Sequence, residues 1–179
     1  RDARAGYQGS EAEKKFVEES KFSESVATFF RERLEFYLKD VCGYAYDVVK
    51  AVLAADAQDV VDAVQRAEAV KQVLHMPEFQ AIGAACKRIR NILRQAAEKS
   101  ITAAVAFESL PDSAPEEKTL ASYVAVNGPK VETLHKKKEY NQALMLLSTA
   151  REPVDAFFDK VMVMVEAPKV RANRLALLR

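Results

Sequence analysis

Between residues 78 and 99, basic side chains recur with an amide among them: Lys87, Arg88, Arg90, Asn91, Arg94 and Lys99. The stretch carries five basic residues against two acidic ones, Glu78 and Glu98. A guanidinium presents a planar fork of N–H donors that suits phosphate oxygens, and an amide both donates and accepts at the edge of a base. At 100° per residue, Lys87, Arg90, Asn91 and Arg94 gather on one side of a helix, with Arg88 and Gln95 at its flanks. Ile82, Cys86, Ile89, Leu93 and Ala96 gather on the other side. This is chemistry for holding an anion. A solvated helix face is the plainer account of the same pattern.

A second basic set follows Pro168. Lys169, Arg171, Arg174 and Arg179 occur there with no acid between them. Arg171 and Arg174 are candidate phosphate contacts, or Arg174 lays its stem over a helical bundle. Lys136, Lys137 and Lys138 close a helix, where positive charge also complements the helix dipole. The net charge of the 179-residue chain is only +1, so these stretches imply sorted charge rather than a polycation.

Catalytic and metal-binding patterns are missing from the sequence. No glycine-rich phosphate loop, zinc-protease motif, nucleophile elbow or CxxC pair occurs. Asp155 and Asp159 stand four apart and read as a solvated face rather than an acid–base pair. Cys42 and Cys86 are widely separated among apolar neighbours and read as reduced, buried thiols of a cytosolic protein. Neither His75 nor His135 has a second ligand nearby, so no metal or other cofactor is expected in this chain. No apolar run reaches the length of a membrane span.

Helices must position these groups. Five glycines, abundant Ala, Leu, Val, Lys and Glu, and no alternating strand pattern give an all-α expectation, a bundle of about seven or eight helices. The chain begins at Arg1 and reads as a piece of a longer polypeptide or a processed one, with residues 1–21 as a linker, helical near Glu11–Glu19, and 22–179 as one helical domain. The first helix is expected from Phe22, capped by Ser23 and ended by Gly43, with Phe22, Val26, Phe29, Phe30, Leu34, Tyr37, Leu38 and Val41 at spacings of three and four. Others are expected from Ala45 to Ala54, from Ala57 to Leu74, and from Pro77 at a helical first position. Beyond "SLPDSAP", a helix near Glu116–Val126 is expected to break at "NGP" and resume to Lys137. Further helices are expected from Glu139 to Thr149, from Glu152-Pro153 and from Pro168, and Phe157, Phe158, Val161, Met162 and Val165 fall at helical spacing as core.

The segment "REPVDAFFDKVMVMVEAPKVRANRLALLR" resembles the C-terminal end of the β subunit of bacterial glycyl-tRNA synthetase, through Pro153-Val154-Asp155, Phe157-Phe158-Asp159, Val161 to Met164 and Arg171 to Leu178. Upstream, "FFRERLEFYLKD", Tyr46-Asp47, "KRIRNIL" and Tyr140 with "ALMLLS" extend the resemblance to nearly everything from Phe22 onward. Glu166 is followed by Ala167-Pro168-Lys169, where that family usually carries further acids. The resemblance implies an α-helical anticodon-binding domain of the DALR type and no catalytic residue in this chain. It also implies a cytoplasmic parent enzyme that joins glycine to tRNA(Gly) with ATP and Mg2+, as two α and two β chains with the catalytic core in α. Lys87, Arg90, Asn91, Arg94, Arg171 and Arg174 are then the candidate tRNA contacts. The competing expectations are a helical module docking the α subunit or another β-subunit domain, and the anticodon domain of another synthetase, such as the arginyl enzyme.

Overall fold

A computed structural model describes residues 11–55 and 59–179, with side chains from residue 22 onward. Among the described residues the chain is all-α, with no strand. Its helices are α1 (Glu11–Phe36), α2 (Tyr46–Ala54), α3 (Val60–Val73), α4 (Pro77–Glu98), α5 (Pro115–Lys136), α6 (Tyr140–Ser148), α7 (Arg151–Lys160) and α8 (Pro168–Leu177), and α1 runs into a π-helical turn at Tyr37–Val41. The backbone divides into two compact units, one ending at Ala67 and the other beginning at Glu68.

In the first unit the helix expected from Phe22 already starts at Glu11. Glu, Ala and Lys upstream carry high helix propensity, so Ser23 lies inside the helix and caps nothing. Of the apolar residues expected along this helix, Leu34 and Leu38 are buried, whereas Phe22, Val26, Phe29, Phe30, Tyr37 and Val41 remain exposed. Gly43, at φ +72°, stands just beyond the π-helical turn in a conformation that costs a glycine little. Val48, Val49, Val52 and Leu53 on α2 are buried. Asp59 opens α3: its carboxylate accepts the N–H of Val61 at 2.9 Å and of Asp62 at 3.4 Å. Of the expected α3 residues, Ala57 and Gln58 lie outside the described ones, as do residues 1–10 of the expected linker.

The second unit is built around Phe157 and Leu175, both fully buried, with Ala85, Ala96, Leu120, Val154, Val161, Val163 and Leu178. α5 passes unbroken through "NGP", with Pro129 inside it. The steric conflict that proline imposes on its predecessor is partly with that residue's Cβ, and Gly128 has none. The expected core run behaves differently at each end. Phe157 is buried and Phe158 half-buried, but α7 stops at Lys160 and the chain leaves extended, with Val161 at φ −114°, ψ 115°. Val161 and Val163 then point inward and Met162 outward, the two-residue alternation of extended backbone. A run of Val and Met alternating by twos suits that conformation better than a helix.

Candidate nucleic-acid interface

α4 is the element that sorts charge. Pro77 fills its first turn, where a missing N–H costs nothing. Ala85 and Ala96 are buried, and Ile82, Ile89, Ile92 and Leu93 pack half-buried against the core. Lys87, Arg90, Asn91 and Arg94 are all exposed, on the side that the helical wheel assigns away from that stripe. Both cysteines expected to be buried are exposed. Cys86 sits at the border between the two faces of α4, and Cys42 directly follows the π-helical turn.

Within this face, Arg94 makes a 3.9 Å ion pair with Glu98, both side chains two-thirds exposed. A pair that open to water holds its partners weakly. Lys87, Arg90 and Asn91 make no hydrogen bond or ion pair among the described residues. At the flank, the Arg88 guanidinium lies over the Phe158 ring, 4.2 Å from its centroid. α4 ends in a Schellman motif: Ile101 N–H bonds Ala96 C=O at 2.8 Å and Ser100 N–H bonds Ala97 C=O at 2.9 Å. Ser100 occupies the left-handed position at φ 54°, where glycine is usual.

The two arginines of α8 are engaged inside the bundle. Arg174 donates from Nε to Glu117 Oε1 at 2.9 Å and from Nη1 to the Met162 carbonyl at 2.8 Å, and its Nη2 stands 2.8 Å from the same carboxylate oxygen. Its side chain is 14% exposed and that of Glu117 1%. Glu117 also accepts the N–H of Ala114, so one carboxylate ties the start of α5 to α8. Arg171 donates to the Val165 carbonyl at 3.0 Å and is half-buried, holding the turn that leads into α8. The six sequence candidates therefore fall into an exposed group of four on α4 and an internally bonded pair on α8.

Asn173 holds the irregular segment 99–114. Its Oδ1 accepts the N–H of Glu108 and its Nδ2 donates to the C=O of Glu108, both at 2.8 Å, and Ala104 N–H adds a bond to Ala172 C=O at 2.9 Å. The side-chain amide here substitutes for a neighbouring strand, satisfying both polar groups of one residue. Neither Glu117 nor Asn173 stood out in the sequence. The only local sign of the first was an acid in the opening turn of α5, where the helix dipole favours one. Of the lysine trio, Lys136 hydrogen-bonds Glu132 at 2.9 Å and thereby lowers that carboxyl below its usual range. No cluster of His, Cys, Asp and Glu able to hold a metal occurs among the described residues, and no helix there is long and apolar enough to cross a membrane.

Residues 82–179 match the model of the DALR anticodon binding domain. The chain is 52% identical over 162 residues to the glycine–tRNA ligase β subunit of Acidobacterium capsulatum, an overlap of 87% of this chain and 23% of that relative. It is 40% identical over its full 179 residues to the corresponding subunit of Desulforudis audaxviator, covering 24% of it. With the subunit of Leptothrix cholodnii the identity is 42% over 150 residues, 84% of this chain and 20% of the relative. The chain thus spans about a quarter or less of the length of these relatives.

Proposed function

Because this chain belongs to the DALR anticodon-binding domain family, we propose that it grips the anticodon arm of tRNA(Gly) through the exposed face of α4. The observation that carries this reading is the composition of that face: two guanidiniums, an ammonium and an amide on one side of a rigid helix, inside the matched residues 82–179 and almost free of internal partners. Lys87, Arg90 and Arg94 take phosphates, and Asn91 takes a base edge. Arg171 and Arg174 serve as supports: they fix α8 and the turn before it, so the bundle presents α4 without further ordering on binding.

The names of the relatives, glycine–tRNA ligase β subunit, support tRNA(Gly) as the partner. On this reading the longer protein serves ATP- and Mg2+-dependent glycylation in the cytoplasm, with the chemistry on an α subunit in an α2β2 assembly and none of it on these residues. Binding of this chain to a glycine-tRNA anticodon stem-loop, beside a loop with altered anticodon bases, tests the proposal across a salt series. Preference for the native loop, lost on changing Arg90 and Arg94 to Glu, is expected. Equal binding to both loops would reduce the face to a nonspecific phosphate surface.

A further inference from the structure

Arg88 stands at the edge of the α4 face and differs from its neighbours in having a fixed position. Its guanidinium carbon is 4.2 Å from the centroid of the Phe158 ring, well within the distance at which cation–π attraction acts. Phe158 is itself held, edge-on against the fully buried Phe157 with centroids 5.3 Å apart. A chain of contacts thus runs from the core to the surface through Phe157, Phe158 and Arg88. Arg88 is exposed and makes no hydrogen bond or ion pair among the described residues, so its N–H donors and the side away from the ring are open. Of the two acids beside Phe158 on α7, Asp155 is met by Arg151 at 3.6 Å, which softens repulsion toward RNA there, and Asp159 is exposed.

We propose that Arg88 is a stacking platform for a nucleobase. Resting on the anticodon-arm reading above, an unpaired base of the loop lies on the open side of the guanidinium, making a Phe158–Arg88–base sandwich. Asn91 is three residues along α4, one turn away on the same side, and reads the edge of that base. Lys87 and Arg94 lie farther round α4 on the basic face, where they meet the phosphates of the neighbouring nucleotides. Single-stranded bases are recognised in this way because every base has a π face, and an arginine plane already packed on an aromatic loses little freedom when a base joins it.

The test uses this chain and a glycine-tRNA anticodon stem-loop in which each loop base in turn is replaced by 2-aminopurine or by an abasic site. Arg88→Lys keeps the charge and removes the plane. The expected result is roughly 5- to 150-fold weaker binding for Arg88→Lys, the range that loss of one stacked base spans, with the salt dependence unchanged because no charge is lost. One 2-aminopurine position should change its fluorescence on binding the native protein and not on binding the variant, and an abasic site there should weaken the native protein alone. Native-strength binding by Arg88→Lys, or no position whose removal separates the two proteins, overturns the platform while leaving the anticodon-arm reading intact. Failure of the unaltered chain to bind the stem-loop at all overturns both.

Discussion

Arg174 and Arg90 meet opposite fates, and a single partner decides which. Arg174 lies against a carboxylate that is 1% exposed, whereas Arg90 and its neighbours face water. Removing one member of a buried ion pair strands the other, which typically costs about 3–5 kcal/mol. Arg174→Leu should therefore lower unfolding stability on that order in a urea titration, while Lys87→Ala should move it by less than about 0.5 kcal/mol. Equal, small effects would mean that Glu117 finds water or another donor. Glu132 offers a gentler case. The Lys136 hydrogen bond lowers its carboxyl in the folded chain, so the stabilisation is present above the ordinary glutamate range and is lost as pH falls through the lowered value. In an NMR titration Glu132 should protonate below the usual range, and Lys136→Ala should return it there.

At the scale of the element, helix-opening prolines were readable, whereas the cap expected at Ser23 and the extended run beyond Lys160 were not read correctly. Pro77 and Pro168 each mark the first turn of a helix, as expected of a residue that lacks an N–H. The same residue misled at Pro129, because the glycine before it removes part of the clash that usually breaks a helix. Helical spacing also misled beyond Lys160, since Phe157, Phe158, Val161, Met162 and Val165 keep a three-to-four repeat while Val161, Val163 and Val165 also alternate by twos. What decides between them is the packing of Val161 and Val163 into the core, which is not local information. The end of α4 carries a testable strain. Ser100 at φ 54° occupies a position glycine fills without a Cβ penalty, so Ser100→Gly should stabilise the chain by about 0.5–1 kcal/mol in thermal unfolding. A loss instead would show that the serine side chain contributes more than its backbone costs.

For the whole molecule the relevant quantity is the arrangement of charge rather than its sum, since the total is +1. The separation of α4 into an inward apolar stripe and an outward basic face follows from periodicity, and that much of the candidate site was legible. The difference between α4 and α8 was not, because it depends on Glu117, 57 residues before Arg174 in the chain. If the α4 face meets a single-stranded loop, each phosphate it neutralises contributes about −0.7 to the slope of log K against log salt. Arg90→Gln with Arg94→Gln should make that slope shallower by about 1.4, and the same two changes on Arg171 and Arg174 should leave it unaltered in whatever fraction remains folded. A slope indifferent to Arg90 and Arg94 would move the phosphate contacts off α4.

Asn173 completes the segment 99–114 from a distance of 65 residues along the chain. A ribosome adding roughly 5–20 residues per second needs some 3–13 seconds to cover that interval. Through those seconds the N–H and C=O of Glu108 must be served by water, and the surface that α8 will cover stands open. The clamp thus acts as a clock as well as a brace: this part of the domain closes late during synthesis, and a pause between residues 108 and 173 would prolong its exposure.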